Sequence, residues 1–179
     1  MKLNGFLTKI LPILLFPIGD LIAQTILGEF NFYRLIAIMA LAVCFYQWET
    51  PMFFKFLDKY KTNWNLQKFI FLKPLFTEEN KLSWSGRTFG ALLFFNPIWV
   101  ARHIYVISLG EKHFNFVISI HDIISSLSIG TKSFIATLPI ALIGNYIVQA
   151  KLPLKHRFLG SVILTSVFAI VYALSYKFF

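Results

Sequence analysis

Six polar or charged residues stand inside stretches otherwise fit for hydrocarbon: Asp20, Gln24, Glu49, Asn96, Arg102 and Asn145. Asp20 and Gln24, in GDLIAQ, lie one turn apart and so share a helical face. A carboxylate in such a place must find a partner, line water or take up a proton. That leaves two uses for the set, a polar pathway through a bundle or clamps between helices, of which the clamp is the more ordinary. Counted at about 1.5 Å of rise per residue, Arg102 comes within reach of Asp20, and Glu49, Asn96 and Asn145 fall into one layer roughly 5 Å inward of the midplane. No other chemistry is spelled out. The four histidines, His103, His113, His121 and His156, have no H-x-x-x-H or H-E-x-x-H spacing, and Cys44 is the single cysteine. Neither a zinc set nor an intramolecular disulfide follows, and no nucleophile elbow, phosphate loop or dinucleotide fingerprint occurs. His121 beside Asp122 reads as a wet interfacial face rather than a catalytic pair. The expectation is no enzyme, no metal and no cofactor.

The elements that must position these residues are membrane helices. Residues 158–176, FLGSVILTSVFAIVYALSY, carry no charge and follow the basic cluster Lys151, Lys155, His156 and Arg157. As a helix that stretch rises about 28 Å, enough to cross a hydrocarbon core. Four more candidates precede it, at 10–28, 34–57, 88–109 and 133–150, three of them interrupted by polar residues or proline. Between the third and fourth, Phe116, Ile120, Ile123, Ile124 and Leu127 recur at helical spacing opposite Ser119, Asp122 and Ser126, the pattern of an interfacial amphipathic helix. The fold class is therefore all-α: a polytopic transmembrane helical bundle of four to five spans plus an interfacial amphipathic helix. Residues 1–179 read as one integral membrane domain. A basic loop at about 58–87, with Trp64, Phe69, Ile70, Phe71 and Trp84 among its lysines, rests on the membrane.

A hydrophobic fraction of 57% with 14% charged residues is more apolar matter than a soluble core of this size hides. The net charge of +9 is spread along loops, which marks orientation in a membrane rather than nucleic-acid binding. With five spans, Lys2, Lys9, the seven cations from Lys55 to Arg87 and the three from Lys151 to Arg157 share one side, against five on the other. The positive-inside rule places the N-terminus and the long loop on the matrix or cytosolic side. The N-terminal residues run into the first span without an A-x-A-like site or an Arg-rich presequence, so no cleaved leader is expected, and the final KFF is not a peroxisomal address. In the last span Ser161, Thr165, Ala169 and Ala173 repeat every fourth residue, a small face that another helix can approach closely.

Several segments share an order and spacing with a known family. GDLIAQ (19–24) is followed at a suitable distance by Arg34, then by FFKFLDK (53–59), LPIALIGNY (138–146), PLKHR (153–157) and YALSYK (172–177). These resemble Gly-Asp-x-x-x-Gln, Trp-Tyr-x-x-Leu-Asp-Arg, Trp-Pro-x-x-Gln-x-x-Asn-Phe, Val-Pro-Leu-x-x-Arg and the closing Tyr-Leu-Ser segment of the Mpv-seventeen family, also called the twenty-two-kilodalton peroxisomal membrane protein family. The resemblance covers nearly the whole chain. It implies a compact bundle of about four spans in the mitochondrial inner membrane or, alternatively, the peroxisomal membrane, with channel or solute-pathway activity proposed for members and no enzymatic chemistry. Leu138 and Leu142 stand where the family has Trp and Gln, and Ala91 and Leu92 where it has an Asp-Gln pair. Glu49 and Pro51 stand near a displaced Gly-Pro region.

Two functions follow. In one, the chain is a supernumerary subunit of a larger inner-membrane assembly such as a respiratory complex, with lipid and other membrane subunits as partners. In the other, Asp20, Gln24, Glu49, Asn96, Arg102 and Asn145 face a shared polar interior that passes small solutes or ions. The aliphatic replacements favour the first, and the retained Asp20 and Asn145 keep the second open.

Overall fold

The computed structural model describes residues 5–115 and 119–179. Five helices account for most of them: α1 (Gly5–Leu27), α2 (Phe32–Lys59), α3 (Trp84–Glu111), α4 (Ile120–Lys151) and α5 (Leu154–Phe178). No strand is present among the described residues, only isolated bridges at Lys61–Lys81 and Phe76–Leu82. Helices α2 to α5 are 28, 28, 32 and 25 residues long, with mean hydropathy from 1.3 to 2.1, each long and apolar enough to cross a membrane. The shortest rises about 38 Å, more than a hydrocarbon core needs. This is a membrane protein, with α1 adding a shorter apolar helix over Ile13–Leu27.

Local chemistry sets the helix ends. Gly28, at φ +68°, closes α1: its N–H donates to the Thr25 carbonyl and that of Glu29 to the Gln24 carbonyl, the two bonds of a Schellman motif. Asn31 then caps α2, its side chain accepting from the Arg34 N–H. Ser83 caps α3 and Ser119 caps α4 in the same way. Pro51 and Pro97 sit inside α2 and α3 without ending them. Each follows one wide π-helical turn, Ala42–Tyr46 and Ala91–Phe95.

The helices form a closed ring in chain order, α1 beside α2, then α3, α4 and α5, with α5 returning to α1. Aromatic side chains fill its middle. Tyr46 stacks on Trp99 at 4.0 Å between ring centres, Phe16 meets both edge-on, and His103 and Tyr172 continue the cluster.

The amphipathic stretch expected to lie flat as a helix of its own is instead the start of α4. Ile120, Ile123, Ile124 and Leu127 point outward, and the helix continues without a break through Ser133. The cause lies on its other face, where Ser126, Gly130, Ser133, Thr137, Ala141 and Asn145 are all buried. A Cβ on Gly130 would stand 2.9 Å from the Ala101 Cα, so α4 lies against α3 at near backbone contact. Phe116 lies outside the described residues. The basic loop is shorter than expected, because Trp84 to Arg87 already belong to α3. Between the helices it is folded into two 3₁₀ turns, Leu66–Lys68 and Lys73–Leu75, with Trp64, Phe69, Ile70 and Phe71 exposed.

Candidate functional site

One guanidinium ties three helices together. Arg34, in the first turn of α2, donates to Asp20 of α1 at 2.5 Å and to Glu111 of α3 at 2.8 Å. Asp20 and Arg34 are essentially sealed from the surroundings, and Glu111 is about one third exposed. Gln24 completes the cluster: its Nε2 donates to Asp20 at 2.6 Å, and its Oε1 accepts from the Asn31 N–H at 2.5 Å. The Asn31 amide in turn donates to Glu111 at 3.3 Å. Asp20 and Gln24 thus share a helical face as their spacing requires, and both look toward the α1–α2 turn. Within the bundle, charges are tolerable only when compensated in this way.

Asp20 pairs with Arg34 and not with Arg102, the partner that depth along the spans predicts. The Gly28 turn folds α2 back along α1, which brings Arg34 to the Asp20 carboxylate first. Arg102 donates instead to Glu49 at 2.5 Å and lies over the Phe45 and Tyr46 rings, 5.2 Å from each ring centre. This second pair is not sealed: Arg102 is 23% and Glu49 37% exposed. They border an open groove of about 640 Å³ on the outer face of α2 and α3, whose apolar walls include Phe45, Trp48, Met52 and Phe56. Both residues are about 14 Å of helix or more from either end of their spans, well within hydrocarbon depth.

The expected layer of Glu49, Asn96 and Asn145 is only partly formed. Asn96 and Asn145 line one small internal cavity with Trp99, Thr165 and Tyr172, while Glu49 lies away from it on the groove. The cavity measures about 20 Å³, room for a single water molecule. Asn145 turns back on its own helix, donating to the Ala141 carbonyl at 2.9 Å. Beside the cavity the aromatic cluster occupies the ring's axis, and Tyr46 Oη lies 3.3 Å from His103 Nδ1.

The small face of α5 sits where α1 crosses it. Ala169 and Ala173 are fully buried, Thr165 is buried, and Ser161 is half-buried. A Cβ on Gly19 would come 2.7 Å from the Ala169 Cβ, which fixes how closely α1 lies on α5. Thr165 and Ser161 also border the small cavity. At the opposite end of the bundle from Arg34, Asp58 at the foot of α2 accepts from Arg157 of α5 at 2.9 Å.

Sequence reasoning missed Glu111, Asn31 and the aromatic cluster. A signal for Asn31 existed: Gly28 followed by Asn-x-x-Arg is a helix stop and start, and it predicts a hairpin that carries Arg34 back to α1. Glu111 had none, because its role depends on Gly110 letting α2 come close. No group of three or more potential metal ligands occurs among the described residues. No family model matches the chain, and neither a curated protein nor a solved structure matches it.

Proposed function

We propose that this chain is a non-enzymatic structural membrane protein of the Mpv-seventeen type, a supernumerary subunit embedded in a larger assembly of the mitochondrial inner membrane such as a respiratory complex. The observation that carries this reading is the Glu49–Arg102 pair. An ion pair in hydrocarbon is costly when lipid is its neighbour, and intramembrane charges ordinarily face protein or water. Here the pair borders an outward groove with large apolar walls. A transmembrane helix of a neighbouring subunit, seated there with a polar side chain at mid-depth, would cover the exposed part of the pair and remove it from lipid.

The filled ring axis supports the same reading. A solute pathway needs a continuous wet interior, whereas here Asp20, Gln24 and Arg34 pair with one another and the cavity between Asn96 and Asn145 has room for about one water. The segments that carry the family resemblance meet in the bundle: GDLIAQ joins Arg34, and FFKFLDK joins PLKHR through Asp58 and Arg157. Localisation rests on that likeness and on a basic loop suited to the matrix side, with the peroxisomal membrane as the alternative that imaging beside organelle markers decides.

The test is a photoreactive side chain in place of Trp48, which is 64% exposed in the groove, with Ile163 on the lipid face of α5 as control. In native membranes the account expects a discrete protein adduct from position 48 and none from 163. Lipid adducts alone from both positions would overturn it.

A further inference from the structure

At the end of the bundle that carries the basic loop, residues 60–83 roof a second cavity, of about 490 Å³, between α2 and α3. Its walls are almost wholly apolar, among them Leu57, Leu72, Phe76, Leu82 and Phe89. Gly86 and Gly90 lie one turn apart on the α3 side, and a Cβ on Gly86 would stand 2.1 Å from the Leu75 carbonyl oxygen, so the roof rests directly on α3 there. The roof is pinned: the Ser83 N–H donates to the Leu75 carbonyl at 2.9 Å and the Ser83 hydroxyl to the Pro74 carbonyl at 2.6 Å. The cavity reaches down α3 to Leu93 and Phe94, which are largely exposed on the lipid-facing surface. That places its lower mouth about 15 Å of helix below Trp84, at hydrocarbon depth, while its roof lies at the headgroup level. Its volume falls within the range of small-ligand sites, and its shape suits a chain lying along α3.

The rim is cationic. Lys59 and Lys61 flank the wall residue Tyr60, Lys73 follows Leu72, and Lys81 precedes Leu82. The Lys61–Lys81 bridge brings two of these backbones side by side. The nearby carboxylates are largely engaged: Asp58 holds Arg157 and Glu79 holds Lys81 at 2.6 Å. Among the described residues, Lys59, Lys61, Lys68 and Lys73 form no ion pair. A hydrocarbon slot at bilayer depth beneath free ammonium groups at headgroup level has the complementarity of one lipid type. We infer that this cavity holds an acyl chain of an anionic phospholipid, with its phosphate among the loop lysines. The site is independent of the groove at Glu49 and Arg102 and does not depend on the reading given above.

The test uses the full-length protein reconstituted in vesicles of equal parts phosphatidylglycerol and phosphatidylcholine, re-extracted in mild detergent, and its retained lipid weighed by mass spectrometry. Phosphatidylglycerol should be retained in preference. Leu93→Trp, which fills the lower mouth from an exposed position, should lower retention about tenfold through lost chain contacts. Lys61→Gln with Lys73→Gln, on exposed side chains outside the packing, should abolish the preference for phosphatidylglycerol while lipid is still retained. Equal retention of both lipids by the parent, unchanged retention in Leu93→Trp at parental helix content, or an unchanged preference in the double lysine variant would each overturn the inference.

Discussion

Gly110 of α3 lies so close to Arg34 of α2 that a Cβ at position 110 would stand 2.6 Å from the Arg34 Cα. This approach lets the guanidinium reach Asp20 and Glu111 from one position. Gly110→Ala must push the helices apart and loosen both ion pairs, and overpacking of this kind costs about 1 to 3 kcal/mol. Thermal unfolding in detergent should show the loss, and an unchanged midpoint would mean that the approach is not tight.

Arg34→Gln strands Asp20 inside the bundle. Removing one half of a buried pair destabilises by about 3 to 5 kcal/mol, whereas replacing both halves with apolar groups is often neutral. The double variant Asp20→Leu with Arg34→Met should therefore recover most of what Arg34→Gln loses. If the double variant is no better than the single, the pair is not what the cost reports.

Ala169→Leu adds bulk where Gly19 already lies against α5. The expected cost is again about 1 to 3 kcal/mol, read by unfolding in detergent. Leucine at Ile163, on the exposed side of the same helix, should change little. Equal effects at the two positions would mean that the small face is not a contact.

How much of this was legible in the sequence depended on range. The apolar runs and the Asp20–Gln24 face follow from local spacing, and the structure has both. Depth counting failed for Asp20 because it treats spans as straight parallel rods. A tight turn at Gly28 and a long guanidinium chose Arg34 over Arg102. The separate amphipathic helix failed for a related reason: an apolar stripe looks the same facing lipid along a span as lying flat. Only the small residues from Ser126 to Asn145, read as a packing face, distinguish the two. The Glu49–Arg102 pair and the roofed cavity join segments far apart in the chain, and no local pattern announces them.

Topology is checked by labelling. With Cys44 replaced by serine, single cysteines at Lys61 and Lys112 should react from opposite sides of the membrane, because α3 separates the α2–α3 loop from the α3–α4 turn and the cations favour one side. Reaction of both from the same side would contradict the crossing of α3.

The central claim is that the bundle is a part of something larger, and native electrophoresis after extraction in mild detergent tests it most directly. The account predicts that the chain migrates with a large complex and that Glu49→Leu with Arg102→Leu releases it while the isolated bundle keeps its helix content. Migration of the parent as a free 20.7 kDa protein, together with solute or ion flux through it in reconstituted bilayers, would contradict the account.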